Sequence, residues 1–385
     1  MAPWSGHRVI DLTGLAGAYG TRLLAALGAE VVKVEPPEGD PIRTYAPRAP
    51  GVEGPESGLW WAFLSAGKKS VVIDRSTAAG EARLATLLAT ADVVLDDSPA
   101  ALQDRPVSGH AAVRAANPAT SWVAITPFGL TGPRRDWTTS DLVAWASCGL
   151  ASTVGFPHSP PLAPAAPVQL AMHFTAVNAA IASMLALRGR RRTGRGQLVE
   201  VAIQEAMVSM APETGVPLFL DDQVPRPRAG NRRPVTSPFG LFPCQDGYVA
   251  ILALQPNHWQ AMARWICDET GNEGVLDGVF DDIAVRNEAS EAVDAWTEEL
   301  TLAATKHELF VEGQRRGIPI TPVNTVADLR ADPHLAQAGW WRDEEHPSLG
   351  QIQVPGAPFL VSHQWWHWSV APTLGQHTAE ILGAL

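Results

Sequence analysis

The segment from residue 7 to 40 constrains the fold more than any other part of the chain. It reads HRVIDLTGLAGAYGTRLLAALGAEVVKVEPPEGD. RVIDL predicts a short buried strand, TRLLAALGA predicts a helix closed by Gly28, and EVVKVE predicts a second strand. Strand, helix and strand within about 30 residues form a βαβ unit, so we expect a parallel sheet with a right-handed crossover.

The same alternation continues along the first third of the chain. KSVVID, DVVLD and TSWVAITPFG predict further strands, and AAGEARLATLLATA predicts a helix between two of them. Repeated alternation favours a doubly wound α/β domain. The pattern changes after residue 200, where a Pro- and Gly-rich stretch precedes strands around QDGY and then amphipathic helices. We predict a smaller α+β domain there.

Composition limits the classes of function. The chain has 385 residues, is 46% hydrophobic and carries a formal net charge of -11, which argues against a nucleic-acid partner. Its three cysteines are widely separated, so we expect no cysteine-based metal site and a reducing compartment. No signal-peptide pattern and no apolar run of about 20 residues stand out. The prediction is a soluble, cytoplasmic protein with no membrane partner.

Basic residues recur in loops near the predicted strands. The turn TGLAGAYG precedes a helix, whose N-terminus favours anions. Arg43 follows the second strand, and Lys68 and Lys69 precede the third. Each basic group alone could simply be solvated, but their recurrence indicates an anionic ligand.

Six segments in order along the chain resemble the family III CoA-transferases, which include formyl-CoA and carnitine CoA-transferases and alpha-methylacyl-CoA racemase. They are VIDLTGLAGAYGTRLLAALGAEVVKVEPPEGDPIR, NPATSWVAITPFGLTGP, RRRTGRGQLVEVAIQEA, RAGNRRPVTSPFGLFPCQDGYV, DPHLAQAGWW and APTLGQHTAEIL. The resemblance implies a Rossmann-like large domain (1–214, completed by 326–385), a small central domain (215–325) and two interlocked subunits.

The resemblance also implies where coenzyme A binds as part of the substrate, without a metal. The residues assigned to it are Leu15, Ala16, Gly17, Ala18, Arg43, Lys68, Lys69 and Arg105. Basic side chains and backbone amides suit the phosphates of CoA. One departure is visible, because the family usually has an NFRPG-like segment where this chain has DDSPA, without the arginine.

The family nucleophile is an aspartate at the start of the helix that leads to RRTGRGQ. Its carboxylate attacks the acyl-CoA thioester. The resemblance aligns Met172 with this aspartate, and no Asp or Glu lies between Asp141 and Glu200. His173 is adjacent and is a candidate general base, and Asp141 aligns with an acidic position near the family active site. The catalytic histidine of the racemase aligns with Ser140, and its aspartate again aligns with Met172. The reactive residues of the transferases and those of the racemase are therefore both replaced in this chain.

Three hypotheses remain open. The favoured one is a CoA-transferase subunit without its own aspartate that pairs with an active homologous subunit and acts on acyl-CoA and a carboxylic acid. The second is an enzyme with altered acyl-CoA chemistry, such as hydrolysis, hydration, C–C cleavage or racemisation, with His173 or a group of the substrate as base. The third is a non-catalytic acyl-CoA binder. His173 as a purely structural helix residue is the alternative to any catalytic role.

Overall fold

The computed structural model describes residues 2–98, 105–163, 169–210, 228–233, 236–363 and 365–385. The chain divides into two compact units. The larger unit comprises Met1–Ala151, Ala163–Val224 and Ala338–Leu385, and the smaller comprises Ser152–Leu162 and Pro225–Gln337.

A six-stranded parallel sheet forms the centre of the larger unit. Its strands are β1 (Arg8–Asp11), β2 (Glu30–Glu35), β3 (Lys69–Val72), β4 (Val93–Asp96), β5 (Ser121–Thr126) and β6 (Leu198–Ala202). They lie in the order β3-β2-β1-β4-β5-β6, and each neighbouring pair is parallel. The order reverses between β1 and β4, as in dinucleotide-binding folds.

Helices cover both faces of this sheet. They are α1 (Leu15–Ala26), α2 (Leu59–Leu64), α3 (Ala78–Ala89), α4 (His110–Ala116), α5 (Asp141–Ser147), α7 (Leu170–Thr193) and α8 (Ile203–Ser209). The short helix α6 (Leu150–Thr153) begins in the larger unit, and its last two residues belong to the smaller one. The C-terminal part of the unit adds α15 (Thr378–Gly383) and the antiparallel hairpin β10 (Trp341–His346) and β11 (Gly350–Pro355). Two short 3-10 helices span Pro41–Thr44 and Gly54–Glu56.

Alternate residues of one strand belong to different cores, because successive side chains point to opposite faces. Val93 and Leu95 pack in the core that contains α1 and α7, whereas Val94 packs with α3, α4 and α15. Burial on both faces explains why the strands read as continuous apolar runs.

The smaller unit is an α+β structure. A three-stranded antiparallel sheet in the order β7-β8-β9 consists of Phe239–Cys244, Gly247–Leu252 and Ile320–Pro322. Its helices are α9 (Pro256–Thr270), α10 (Ile283–Glu288), α11 (Ser290–Leu302), α12 (Lys306–Arg315), α13 (Val326–Ala331) and α14 (Pro333–Gln337), with 3-10 helices at Glu273–Leu276 and Gly278–Asp281. Trp259, Phe242 and Leu309 lie in a separate apolar core.

Helices α1 and α7 approach each other through one small residue. A Cβ atom on Gly20 would lie 2.2 Å from the carbonyl oxygen of Ala176, so only glycine fits there. Gly28 ends α1 with a φ of 98°, a backbone conformation that favours glycine. Both glycines hold α1 against the sheet and α7.

The predicted α/β fold class is confirmed, with a parallel sheet in the larger unit and a small α+β unit. The predicted boundaries 1–214, 215–325 and 326–385 stay predictions. The junction at 214/215 lies outside the described residues, as do Pro99 and Ala100 of the DDSPA segment. The predicted interlocked dimer also stays a prediction.

Candidate active site

The loops that follow β1 and β4 meet where the strand order reverses. One carboxylate oxygen of Asp97, just beyond β4, accepts a hydrogen bond from the N–H of Gly14 at 2.7 Å. Gly14 immediately precedes α1. Open α/β sheets bind ligands at such a reversal, outside the carboxyl ends of the strands. The predicted loop Leu15–Ala18 forms the first turn of α1 at this point.

The start of α1 is suited to an anion. The first N–H groups of a helix have no intrahelical acceptor, and the helix dipole favours negative charge there. Leu15 is partly exposed, whereas Ala16, Gly17 and Ala18 are buried. Only the leading edge of this turn is therefore open to a ligand.

A buried ion pair supports the turn from beneath. Asp11 accepts hydrogen bonds from the backbone N–H of Thr13 at 2.9 Å and from the hydroxyl of Thr21 at 2.7 Å. The Lys68 ammonium lies 3.0 Å from the carboxylate oxygen of Asp11 that Thr21 contacts, and it also donates to the carbonyl of Ala18 at 3.0 Å. Burial alone would raise the pKa of Asp11, but Lys68 and Lys33 hold it well below its usual range.

Arg43 is also buried and is paired with carboxylates. Its guanidinium donates to both oxygens of Glu35, at 2.6 and 2.9 Å, and contacts Glu56 at 3.1 Å. It lies 3.6 Å above the ring of Trp61 and is 0% exposed. A direct contact of Arg43 or Lys68 with a phosphate would require these ion pairs to open, so their predicted roles in CoA binding stay predictions.

Lys69 lies apart from the other predicted ligands. Its ammonium pairs with Glu30 at 3.0 Å and with Glu380 on α15 at 2.7 Å. Lys69 and Glu30 are the first residues of β3 and β2, so this pair lies at the amino end of the strands. The turn before α1 lies at their carboxyl end. The structure does not bring Lys69 together with that turn.

Arg105 lies beside a second arginine that the sequence analysis missed. The Arg105 guanidinium contacts one oxygen of Glu81 at 2.7 Å, and Arg75 Nε lies 3.6 Å from the same oxygen. Arg75 follows β3 at the carboxyl edge of the sheet. Its position directly after the strand VVID was the available signal in the sequence, because that edge carries ligands.

The start of α7 brings Asp141 and Met172 together. A carboxylate oxygen of Asp141, the first residue of α5, accepts the N–H of Ala171 at 2.8 Å and the N–H of Met172 at 3.3 Å. This caps the helix with a negative charge at its positive end. The Met172 side chain is 6% exposed and belongs to the core that contains α1 and α7.

His173 lies between two aromatic rings that the sequence analysis did not connect with it. Its ring centroid is 5.5 Å from that of Tyr19 on α1 and 5.6 Å from that of Trp60 on α2. His173 Nε2 is buried and has no hydrogen-bond partner within the described part of the chain. Burial lowers the pKa of His173, and Asp141 opposes this only in part. The imidazole is therefore neutral at pH 7.

The sequence profile described as CoA-transferase family III matches residues 4–378, almost the whole chain. The chain belongs to CoA-transferase family III. It therefore acts on acyl-CoA thioesters, and the resemblance noted from the six segments is confirmed.

Relatives of this family III CoA-transferase cover it from end to end. It is 33% identical to the succinyl-CoA:(R)-benzylsuccinate CoA-transferase subunit BbsE of Thauera aromatica, over 98% of this chain and 93% of the relative. It is 31% identical to a succinyl-CoA:mesaconate CoA-transferase of Haloarcula hispanica, over 97% and 94% of the two chains. A solved CAIB/BAIF family protein from Brucella suis matches with a TM-score of 0.88 and 28% identity, over 100% of this chain and 99% of that one.

Two further features of this family III CoA-transferase bear on ligands and surroundings. Among the described residues, no group of three or more His, Cys, Asp or Glu side chains could hold a metal ion. Helix α7 is long and apolar enough to cross a membrane by length and composition, but half of its most apolar window is buried inside the unit. The core helix of a soluble protein can have the same length and hydropathy, so these two properties are weak evidence for a membrane span.

Proposed function

We propose that this chain is the non-nucleophilic subunit of a CoA-transferase that pairs with a homologous, aspartate-bearing subunit. The observation that carries the proposal is the residue at the start of α7. The resemblance aligns Met172 with the family aspartate, and Met172 offers a thioether in place of a carboxylate.

The chemistry explains why this residue matters. In the family reaction, a carboxylate oxygen attacks the thioester carbon and the C–S bond breaks. The CoA thiolate departs, and a mixed anhydride between the acyl group and the aspartate remains on the enzyme. The thiolate then attacks the enzyme carbonyl of the anhydride, which releases the acid and forms an enzyme–CoA thioester. A methionine can form neither intermediate.

The Asp141 carboxylate lies at the start of α7, and its contacts favour a supporting role. It accepts two N–H groups at the start of α7, at 2.8 and 3.3 Å. Both hydrogen bonds go to one carboxylate oxygen and tie it to the backbone of the helix. We assign Asp141 to holding the start of α7, next to His173.

Assembly with a second subunit is part of the proposal. Relatives that carry the word subunit in their names include the Thauera aromatica protein and the succinyl-CoA–L-malate CoA-transferase alpha subunit of Chloroflexus aurantiacus. Helix α7 exposes Ile181, Met184 and Leu185 along one stripe, with Leu185 62% exposed. We expect no stable monomer, since an interlocked pair would bury far more than about 1,600 Å².

Coenzyme A is proposed to bind at the reversal of the strand order, with its acyl end directed toward the start of α7. The leading edge of Leu15–Ala18 and the Arg105 guanidinium are the partly exposed members of the predicted set at that edge of the sheet. Arg43 and Lys68 support that surface from within. The proposed substrates, an acyl-CoA and a carboxylic acid, are water-soluble, which fits the predicted cytoplasmic location. Helix α7 is half buried inside the unit, which also fits that location.

The test is mass spectrometry of the purified chain after incubation with succinyl-CoA and with other acyl-CoAs, followed by hydroxylamine or borohydride. We expect no CoA adduct and no trapped residue, because no carboxylate replaces the aspartate. Activity should appear only when the homologous subunit is added. An adduct on Asp141, or ping-pong exchange of CoA between two acids by the chain alone, would refute the proposal.

The second candidate is altered acyl-CoA chemistry with His173 as base. The observation that favours it is the buried, unpaired Nε2 of this neutral imidazole within the described part of the chain. Turnover of an acyl-CoA without CoA exchange, abolished in His173→Ala, would establish it. If the chain binds acyl-CoA but is inactive both alone and with its partner, the result would favour the third hypothesis, a non-catalytic acyl-CoA binder.

A further inference from the structure

An aromatic surface lies next to the start of α7 in the larger unit. Tyr19 on α1 and Trp60 and Phe63 on α2 are each partly exposed, and they pack with Leu15 on one small apolar core. The rings of Tyr19 and Trp60 both contact His173, at centroid distances of 5.5 and 5.6 Å. His173 is also partly exposed and directly follows the position that aligns with the family nucleophile. Partly exposed aromatic rings therefore flank that position.

The close approach of α1 and α7 brings these rings to His173. Gly20 leaves no room for a side chain against the carbonyl oxygen of Ala176, so the two helices touch there. Tyr19 precedes Gly20, and His173 precedes Ala176 by about one turn of α7. The contact between the Tyr19 and His173 rings thus follows from the one glycine that lets the helices meet.

Two further contacts hold the rings in place. The indole N–H of Trp60 donates to the carbonyl oxygen of Ala46 at 3.0 Å. The Arg22 guanidinium lies 4.3 Å from the centroid of the Phe63 ring, and this ring stacks on that of Tyr19 at 6.1 Å. A cation over a ring face is attractive, and Arg22 is only 6% exposed. The rings are therefore fixed before a ligand binds, which lowers the entropy lost on binding.

The aromatic surface is continuous with the proposed CoA site. Leu15 is the first residue of α1 and forms the leading edge of the turn proposed to bind CoA. Tyr19 follows it by four residues, so both side chains lie on one face of the helix, and both pack on the same apolar core. An acyl group that extends from that turn toward α7 would lie on the rings. Small-molecule pockets are lined mainly by apolar and aromatic side chains, which suits this surface to the acyl group.

We propose that Tyr19, Trp60 and His173 form the acyl subsite of this chain and that the acyl group carries an aromatic ring. This rests on the proposed function, since it assumes that the chain binds acyl-CoA. An aromatic ring gains from tilted or offset contacts with other rings, beyond the apolar area that it buries. His173 already makes such contacts, tilted by 55° to Tyr19 and by 41° to Trp60. The substrate class is an aryl-substituted carboxylic acid, carried as its CoA thioester.

The experiment is calorimetry with CoA, 3-phenylpropanoyl-CoA and 3-cyclohexylpropanoyl-CoA. The two thioesters differ only in whether their ring is aromatic, and CoA lacks the acyl group. The wild-type chain should bind the phenyl thioester about tenfold more tightly than CoA, because the ring is buried. It should bind the phenyl thioester about threefold or more tightly than the cyclohexyl thioester. Trp60→Leu should reduce this second preference to about 1.5-fold or less, because leucine has no ring for the substrate to contact.

Two other variants separate the ring of Trp60 from its structural role. Trp60→Phe keeps a ring but loses the N–H that bonds Ala46, and it should retain at least about half of the preference for phenyl over cyclohexyl. Trp296→Leu is the matched control. Trp296 is also partly exposed and contacts an aromatic ring, that of Phe280, but it packs on the core of the smaller unit. This variant should keep the wild-type preference.

The outcomes separate this inference from the proposed function. A wild-type chain that binds none of the three ligands would refute acyl-CoA binding, and with it both the proposed function and the acyl subsite. A chain that binds CoA but does not prefer the phenyl thioester to the cyclohexyl one would overturn the aromatic subsite alone. An unchanged preference in Trp60→Leu would also overturn it. Tyr19→Leu provides the same comparison if Trp60→Leu does not fold.

Discussion

The carboxylate of Asp141 accepts a hydrogen bond from the backbone N–H of Met172, 3.3 Å away. The two residues are 31 positions apart in the sequence, yet they meet at the start of the helix that bears the reactive residue of the family. The chain therefore retains the charged cap of this helix while presenting a thioether beside it. The first prediction tests the proposal that the chain lacks the family nucleophile at this position.

Met172→Asp should introduce a nucleophile. We expect the variant to gain the mass of a CoA thioester when it is incubated with succinyl-CoA, since the start of α7 stabilises a carboxylate. The nearby charge of Asp141 will raise the pKa of the new side chain, so the adduct should increase with pH. Met172→Asn is the control of equal shape and should form none. An adduct in both variants would place the nucleophile elsewhere.

Asp97→Asn should stabilise the protein at neutral pH and above. Asp97 is partly exposed as a residue, but its carboxyl group is enclosed, and this burial raises its pKa to about 7 despite the hydrogen bond from Gly14 and the charge of Lys33. Asp96 and Asp11 act in the same direction as burial. The folded state therefore holds this proton more strongly than the unfolded state, whose carboxyl pKa is about 3.9.

The sign of the pH dependence follows. Between about pH 4 and pH 7 the contribution of Asp97 to stability falls as pH rises, and above pH 7 it stays low. The amide of the Asp97→Asn variant cannot ionise, so the variant should unfold at a higher temperature than wild type at pH 8 and show little difference at pH 4. Thermal unfolding across this range measures the effect. A variant less stable than wild type at pH 8 would mean that the ionised carboxylate is needed at Gly14.

Lys68→Met should destabilise the larger unit strongly. It leaves Asp11 as a buried charge with its nearest cation removed, at a cost of about 3–5 kcal/mol in the free energy of unfolding. The double variant with Asp11→Asn should lose less than the sum of the two single changes. Lys69→Met is the control, because its ion pairs are 31% or more exposed and should contribute at most about 1 kcal/mol. Urea unfolding of the four variants gives the comparison, and equal losses at Lys68 and Lys69 would contradict it.

Gly20→Ala should disrupt the contact between α1 and α7. The added Cβ would lie 2.2 Å from the carbonyl oxygen of Ala176, so the helices must separate. We expect a loss of about 1–3 kcal/mol or more, although alanine favours a helix. Gly383→Ala on α15 meets nothing within 4 Å and should be close to neutral. Similar unfolding temperatures for the two variants would show that the contact can relax.

The sequence predicted the fold class because periodicity and turn residues report burial directly. Runs such as DVVLD carry apolar residues on both faces, which indicates a sheet covered on both sides, and Gly28 marks the end of a helix. The absence of a carboxylate between Asp141 and Glu200 is likewise a property of the sequence. Both features are local, so no tertiary information was needed to read them.

The partners of the charged side chains were decided only by the tertiary structure. Lys68 and Lys69 are neighbours in the sequence, but one is buried against Asp11 and the other pairs with Glu30 and Glu380 at the opposite end of the strands. Arg75 and Arg105 meet at Glu81, and Tyr19 meets His173, across distant parts of the chain. A residue type indicates what a side chain can bind, but whether it is exposed, paired or free depends on which loops converge, and that is set by the packing of the whole sheet.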